Sequence, residues 1–225
     1  MQLAKPSVDI ALLTNDPVAL MAFWTVKGTA VFDRIIPLGP GQTQHRFDAN
    51  GSALKINHHE RPLPDVPPSG YRGLVLPRLG LSVPRELADP EGNRLTLVPP
   101  GHDGITQAAI QLTVRSVDAH RRFYSEALGL PEQSVGCFRA GETLILMEKA
   151  SDARDDAQML GRGWRYITLQ VMKLMPAHER ALAAGAREAR APATVGEHVR
   201  YSMIRDPDGN WIELSQRADL AGSID

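Results

Sequence analysis

Polar and apolar residues alternate along two short segments in the C-terminal half of the chain, residues 109–114 and 166–171. A period of two residues predicts strands with two different faces. In both segments one face is apolar and the other carries small or polar side chains. A helical spacing of apolar residues follows each strand, from Ser116 to Gly129 and from about residue 175 to Gly185. Serine is a good helix N-cap, so Ser116 predicts the start of the first helix. Glycine terminates helices well, so Gly129 and Gly185 predict where the two helices end.

Further strands are predicted after each helix. They cover residues 134–139 and 142–147 in the unit that begins at residue 109, and 197–205 and 211–216 in the unit that begins at residue 166. Pairs such as Asp-Gly and Gly-Asn between them supply the positive backbone angles that tight turns need. Each unit therefore has the order strand, helix, then two or three strands.

The N-terminal half repeats this order in a less regular form. A strand at 8–14 and a helix at 16–27 precede strands at 30–36, 43–48 and 52–58. A further unit begins at residues 70–76 and lacks a helix. In chain order, the four units therefore begin near residues 8, 70, 109 and 166.

The sequence DPEGNRLTL at 89–97 closely matches DPDGNWIEL at 206–214. A long internal repeat indicates duplicated units. We therefore predict two domains, 1–100 and 105–225, joined by a linker within residues 99–104.

The composition is that of an ordinary globular protein, with 43% hydrophobic and 23% charged residues and a net charge of -1. No basic run predicts nucleic-acid binding, and no apolar run has the length that spans a membrane. The single cysteine, Cys137, excludes an intramolecular disulfide and predicts a small buried side chain. No signal-peptide pattern is found at the N-terminus, so the expected compartment is the cytoplasm.

The repeated units and the Asp206–Leu214 segment resemble the vicinal oxygen chelate superfamily, which includes glyoxalases, bleomycin-resistance proteins and extradiol dioxygenases. The resemblance covers nearly the whole chain. It implies an α+β fold in which paired βαβββ modules form two curved mixed sheets with helices on the outer faces. It also implies that each concave face holds a small-molecule site, and that the C-terminal domain has the more complete one.

This resemblance, with the alternation, defines a candidate ligand site in the C-terminal domain. A face with several polar side chains suits a ligand pocket, although the same face would also suit solvent exposure. The expected substrate-binding residues are Gln111, Thr113, Thr168, Gln170, Trp164, Trp211 and Met147. We expect Glu213 to act as a base or hydrogen-bond acceptor, with Tyr166 and His198 as catalytic helpers. The alternative is that Glu213 pairs with Arg200 or Arg165 and only holds the sheet.

The family's metal positions fall on Ala109, Ile145, Tyr166 and Glu213 in the C-terminal domain. Only Glu213 is a usual ligand, so a site for Fe, Mn, Zn or Ni is disfavoured, and the expected cofactor is none or unknown. The N-terminal domain offers Asp9, Lys55, Thr96 and either Tyr71 or Gly73. An ammonium among the ligands repels a cation, so Asp9 and Lys55 are expected to pair.

Three functions remain open at this point. The first is a small-molecule-binding protein or metal-independent enzyme, whose partner is a small organic ligand. The second is a metal-dependent lyase, isomerase or extradiol-type dioxygenase with non-standard ligands. The third is a drug-binding protein of the bleomycin-resistance type without catalysis. Exposed strand edges in the N-terminal half would also suit a homodimer.

Overall fold

The computed structural model describes residues 1–224, so Asp225, the last residue of the predicted C-terminal domain, lies outside the described residues. The fold consists of two curved mixed sheets with short helices on their outer faces, which confirms the predicted α+β class. Among the described residues, no helix combines the length and apolar character needed to cross a membrane.

The larger sheet has eight strands, and it is built from both ends of the chain. The N-terminal end supplies β1 (Asp9–Thr14), α1 (Pro17–Val26), β2 (Val31–Gly39), β3 (Gln42–Ala49) and β4 (Ser52–His59). The C-terminal end supplies the elements named below as β12 to β15.

The smaller sheet has seven strands from the middle of the chain. Its first part is β5 (Tyr71–Pro77), β6 (Arg85–Ala88) and β7 (Arg94–Val98). A 3₁₀ turn (His102–Gly104) leads to its second part. This part consists of β8 (Ala108–Val114), α2 (Val117–Arg122) with a π-helical turn (Phe123–Ala127), β9 (Glu132–Ser134), β10 (Cys137–Ala140) and β11 (Thr143–Lys149).

The last unit completes the larger sheet. It consists of β12 (Gly163–Gln170), α3 (Leu174–Ala183), β13 (Arg187–Val195), β14 (Val199–Arg205), β15 (Trp211–Arg217) and the short α4 (Ala218–Ala221). The strand orders are β13-β14-β15-β12-β1-β4-β3-β2 and β6-β7-β5-β8-β11-β10-β9.

The two sheets do not follow the two halves of the sequence. β1 pairs antiparallel with β12, with Ile10 opposite Ile167, and β5 pairs antiparallel with β8, with Leu74 opposite Ile110. The first unit therefore joins the fourth, and the second joins the third. The expected concave face made by the C-terminal half alone is wrong for this reason, because each face draws strands from both halves.

The predicted apolar faces pack between the sheets and the helices. Ile110, Ile167 and Ile212 are fully buried there in one continuous core. In α1, Asp16 caps the N-terminus through the Ala19 amide, and Trp24 is buried against the sheet. The second unit has no helix, as predicted, because β5 leads directly to β6.

One strand register differs from the prediction. β11 runs parallel to β8 with Leu144 beside Ala109, so Leu144 and Leu146 lie on the concave side. Ile145 therefore packs into the helix-side core and not at a concave position. Met147 also contacts that core, which contradicts its predicted place on the ligand side.

The repeated Asp-Pro-x-Gly-Asn segments form equivalent turns. In the second, Asp206 Oδ1 accepts hydrogen bonds from the amides of Asp208 and Asn210 at 3.0 and 2.9 Å, and Oδ2 accepts from Asn210 Nδ2 at 2.9 Å. Asp89 accepts equivalent bonds from Glu91 and Asn93. The repeat is therefore a structural device that presents the final strand of each unit.

His120 of α2 lies beneath this turn with its Nε2 atom 3.4 Å from Asp206 Oδ2. Burial alone would lower the pKa of His120, but the charge of Asp206 and the hydrogen bond with the Ser116 carbonyl raise it above its ordinary value. A histidine whose pKa is raised by folding contributes stability below its unfolded pKa and loses it as the pH rises through the folded pKa.

We therefore expect His120→Gln to remove a pH-dependent part of the stability. The difference in unfolding free energy between the wild type and this variant should shrink as the pH rises from about 6 to about 9, which spans the usual titration range of histidine. Urea denaturation at several pH values measures it. A difference that stays constant or grows with pH would show that Asp206 does not stabilise the protonated ring.

Candidate functional site

A buried lysine lies at the centre of the polar concave face of the eight-stranded sheet. Lys55 Nζ donates to Thr168 Oγ1 at 2.6 Å and to Glu213 Oε1 at 3.3 Å. The Lys55 side chain is 2% exposed and the Glu213 side chain 15%. The ammonium also lies 5.3 Å from the centre of the Tyr166 ring. We refer to Asp9, Lys55, Thr168 and Glu213 as the Lys55 site.

Strand register explains how residues from both ends of the chain meet here. Thr168 lies opposite Asp9 in the β1–β12 pair and beside Glu213 in the β12–β15 pair. Lys55 lies on β4, which is parallel to β1 on its other side. Because neighbouring residues in a sheet point to the same face, all four side chains reach the concave side together.

Asp9 has partners other than the lysine predicted for it. Its carboxylate accepts hydrogen bonds from Lys5 Nζ at 2.6 Å, from the Ala53 amide at 2.9 Å and from Gln170 Nε2 at 3.2 Å. The predicted Asp9–Lys55 pair is therefore replaced by an Asp9–Lys5 pair, while Lys55 turns to Thr168 and Glu213. This leaves Asp9 with three donors and Lys55 with a different carboxylate.

The charges of the Lys55 site are coupled through burial. Burial would raise the pKa of Asp9, but the charges of Lys55 and Lys5 hold it below its ordinary value. Burial lowers the pKa of Lys55, against the opposing charges of Glu213 and Asp9. Burial and the Glu213 charge raise the pKa of Tyr166, which keeps its hydroxyl protonated and able to donate a hydrogen bond.

A chain of amide side chains connects Tyr166 to an arginine on β3. Arg46 Nε donates to Gln44 Oε1 at 2.6 Å, Gln44 Nε2 donates to Asn57 Oδ1 at 2.9 Å, and Asn57 Nδ2 donates to the Tyr166 hydroxyl at 3.1 Å. Gln44 and Asn57 are buried. Such a satisfied network fixes the positions of its end groups.

An apolar wall adjoins the polar groups. Ala11, Leu13, Tyr166 and Met203 form a buried cluster with Leu63, Met159 and Trp211 packed against it. The Trp211 indole donates to the Ala157 carbonyl at 2.9 Å, and the Arg205 guanidinium stacks over its ring at 4.2 Å. The site thus combines an apolar side with a small number of directed polar groups, as small-molecule sites generally do.

The donor set does not fit the metal that the family resemblance implies. Within residues 1–224, no three His, Cys, Asp or Glu side chains lie close enough together to hold a metal ion. In the Lys55 site, an ammonium contacts one of the two carboxylates and the other is held by Lys5. The concave face of the seven-stranded sheet carries an apolar cluster of Val75, Val98, Ile105, Ala109 and Leu144.

The other predicted site residues are divided between several places. Thr168, Gln170, Tyr166, Trp211 and Glu213 belong to the eight-stranded sheet, whereas Gln111 and Thr113 belong to β8 of the seven-stranded sheet. The two groups therefore do not form one site, because their strands belong to different sheets.

Trp164 and His198 do not contribute to the polar face. Trp164 is buried in the core, edge-on to Trp24 with ring centres 5.5 Å apart. His198 lies in the exposed turn between β13 and β14. Their predicted roles fail because Trp164 is packed on the helix side and His198 precedes the strand.

The alternative partners predicted for Glu213 are also wrong. Arg200 Nε donates to Thr194 Oγ1, and Arg165 donates to main-chain carbonyls, including those of Gly161 and Pro67. Burial lowers the pKa of Arg165 to about 10. Glu213 pairs with Lys55, a partner from the opposite end of the chain.

Three functional candidates escaped the sequence analysis, namely Gln44, Arg46 and Asn57. Gln44 and Arg46 alternate with Phe47 and Ala49 along β3, which pack in the core, so a polar face was visible there. The sequence did not show that this polar face of β3 belongs to the site, because only the pairing of β1 with β12 brings it into one sheet with Tyr166 and Glu213.

A separate cavity of about 470 Å³ lies where the two sheets meet. Its wall includes Arg72, Glu91, Arg94, Thr113 and Arg162, with Trp164 behind them. Thr113 and Trp164, two of the residues predicted to bind substrate, therefore lie at this cavity and not at the Lys55 site.

Comparison with known proteins places this geometry in context. Residues 105–214 match the family model of the Glyoxalase/Bleomycin resistance protein/Dioxygenase superfamily. No curated protein sequence matches the chain.

Solved structures with the same fold include glyoxalase I from Zea mays, which is 13% identical with a TM-score of 0.74 and covers 95% of this chain and 94% of its own. A single-residue variant of that protein is 11% identical with a TM-score of 0.77, and the match covers 100% of this chain and 96% of the other. At these identities, the likeness concerns the fold alone.

Proposed function

Residues 105–214 belong to the Glyoxalase/Bleomycin resistance protein/Dioxygenase superfamily, and from this premise we propose that the Lys55 site binds a small organic carbonyl compound and transfers a proton at the neighbouring carbon without a divalent metal. The observation that carries the proposal is the Lys55 ammonium, which lies between Thr168 and Glu213 on the concave face. It supplies a fixed positive charge in a largely desolvated place.

Lys55 has a hydrogen-bonding position to offer a ligand. An ammonium has three donors, and within the described residues only Thr168 and Glu213 accept from this one. The remaining N–H can bind the carbonyl oxygen of a ligand. When the neighbouring carbon loses a proton, negative charge develops on that oxygen, and a preorganised cation stabilises it.

Glu213 is the base in this scheme. Its Oε1 atom accepts from Lys55, while Oε2 has no hydrogen-bond donor within residues 1–224. The C–H bond of the ligand breaks, its proton goes to Oε2, and its electron pair becomes the enolate that Lys55 holds. Return of the proton to carbon completes a transfer that needs no oxidant or reductant. Tyr166, held by Asn57, orients the ligand with its hydroxyl proton.

Proton exchange between a carbonyl probe and D₂O tests this function. Proton NMR would follow loss of the methyl signal of pyruvate in the presence of protein and EDTA. We expect acceleration by the wild type and a loss of about 100-fold or more in Glu213→Gln, since a positioned base is worth that much. Glu188→Gln is the matched control, because Glu188 pairs with His178 on α3, away from the concave face.

The outcomes separate this proposal from its alternatives. Exchange that EDTA abolishes and a divalent metal restores would contradict it. Equal exchange in the wild type and Glu213→Gln would remove Glu213 as the base. The second candidate function is ligand binding without catalysis, favoured by the apolar wall of Trp211, Met203 and Leu63. This second function predicts that the wild type and Glu213→Gln both bind pyruvate in a calorimetric titration and that neither accelerates proton exchange with D₂O.

A further inference from the structure

We infer that the ligand of the Lys55 site carries a carboxylate next to its carbonyl group, so that it is a 2-oxo or 3-oxo acid, and that Arg46 binds this carboxylate. The inference rests on the proposed function for the position of the carbonyl. The observation behind the inference does not depend on catalysis, because it concerns an arginine that forms no ion pair within the described residues.

Arg46 is a half-buried cation of the polar face that forms no ion pair within residues 1–224. Lys5 pairs with Asp9, Lys55 with Glu213 and Arg217 with Asp219. Among residues 1–224, no ion pair includes Arg46, although it is half-buried. Burial and the charge of Arg217 lower the pKa of Arg46, against the opposing charges of Asp9 and Glu213. A half-buried charge of this kind is stabilised by an anionic ligand.

The guanidinium is also held in position. Its Nε donates to Gln44 Oε1 at 2.6 Å, and Gln44 is itself bound to Asn57. Its two Nη groups make no hydrogen bond within the described residues. A guanidinium fixed through Nε with both Nη groups open presents the fork that binds a carboxylate with two parallel hydrogen bonds.

The strand register of the two cations favours a short ligand. Arg46 and Lys55 are directly opposite each other in the antiparallel β3–β4 pair. Their Cβ atoms are therefore only about 5 Å apart, and both side chains point to the same face. We infer that one small ligand reaches both cations when its carbonyl oxygen, on Lys55, and its carboxylate, on Arg46, belong to groups one or two bonds apart. That spacing is found in 2-oxo and 3-oxo acids.

Calorimetric titration with pyruvate and with pyruvamide, its uncharged counterpart of similar shape, tests the inference. We expect the wild type to prefer pyruvate by about tenfold or more, and Arg46→Met to weaken pyruvate binding by about 10- to 100-fold while leaving pyruvamide almost unchanged. Arg46→Lys keeps the positive charge but loses the two parallel donors. Its affinity for pyruvate should lie between those of the wild type and Arg46→Met.

Arg139→Met is the matched control. Arg139 is also half-buried and donates from Nε to a glutamine, Gln133, but it lies on β10 of the other sheet. Its replacement should leave both affinities unchanged.

Several results would overturn the inference. These are equal binding of pyruvate and pyruvamide to the wild type, no binding of either, or unchanged pyruvate binding in Arg46→Met. Inorganic phosphate could also bind more tightly than pyruvate and lose this affinity in Arg46→Met. That result would contradict the inference, because it would show that Arg46 binds a phosphate group and not a carboxylate. If pyruvamide binds and exchanges protons as well as pyruvate does, the carboxylate inference fails while the proposed function stands. If pyruvate binds through Arg46 but exchanges no protons, the proposed function fails while the carboxylate inference stands.

Discussion

Replacing Asp206 by Ala should lower the free energy of unfolding by about 3–5 kcal/mol, because the change removes one partner from a buried network and leaves the others without compensation. Asp206 is 1% exposed and accepts three hydrogen bonds from Asp208 and Asn210. Its carboxylate also faces His120, which is fully buried. Alanine would leave all of these donors unsatisfied.

Urea denaturation of Asp206→Ala measures this loss directly. Asp152→Ala is the control, because Asp152 pairs with Arg72 while its side chain is 70% exposed, and such pairs contribute about 0–1 kcal/mol. Asp89→Ala, at the equivalent turn of the second unit, should also be strongly destabilised because Asp89 accepts from Trp24 as well as from its own turn. A loss below about 1 kcal/mol in Asp206→Ala would contradict the structural role of the turn.

These turns also show what the sequence predicts well. The hydrogen bonds of Asp206 are local, so the residues that make them are neighbours in the sequence and their repetition at Asp89 is visible. The same is true of the alternation that buries Ile110 and Ile167. Local patterns therefore predicted the units and their core faces.

The site depends on information that local patterns do not carry. Lys55 and Glu213 are 158 positions apart, and only the pairing of β1 with β12 brings their strands into one sheet. Within each half the same alternation would permit a concave face of its own. Once the wrong strands were combined, Gln111 and Thr113 were grouped with Glu213. Asp9 and Lys55 do lie on neighbouring strands, but Lys5 pairs with Asp9, and Glu213 from the other end of the chain pairs with Lys55.

Edge strands and registers were the other source of error. β13 was not predicted, because its residues are mostly exposed and the hydrophobic alternation that marks a strand is weak there. Ile145 was assigned to the concave side, although the parallel register with β8 places Leu144 there. A shift of one residue moves a side chain to the other face of a sheet, so small errors in strand bounds change the predicted site completely.

The second large effect concerns the charge at the centre of the site. Lys55→Glu should convert the Lys55 site into a metal site, because the new carboxylate would join Glu213 and Asp9 beside Thr168 and Asp9 would exchange its Lys5 partner for the ion. Oxygen ligands of this type suit Mn²⁺ and also bind Zn²⁺. Three carboxylates in a desolvated place repel one another, so the variant should be less stable than the wild type in EDTA.

Added Mn²⁺ or Zn²⁺ should restore that stability, since a ligand that binds only the folded state raises the apparent stability by mass action. Lys55→Gln is the matched control. It removes the same positive charge and keeps a side chain of similar length, but it leaves only the two carboxylates of Asp9 and Glu213. It should gain neither metal binding nor metal-dependent stability.

Calorimetric titration of Mn²⁺ into the wild type, Lys55→Glu and Lys55→Gln tests most directly the proposal that the Lys55 site acts without a divalent metal. We predict no binding at this site in the wild type or Lys55→Gln, and one ion bound with micromolar affinity by Lys55→Glu. That gain corresponds to about 8 kcal/mol of binding free energy. Stoichiometric binding by the wild type, lost when Glu213 is replaced by Gln, would contradict the claim.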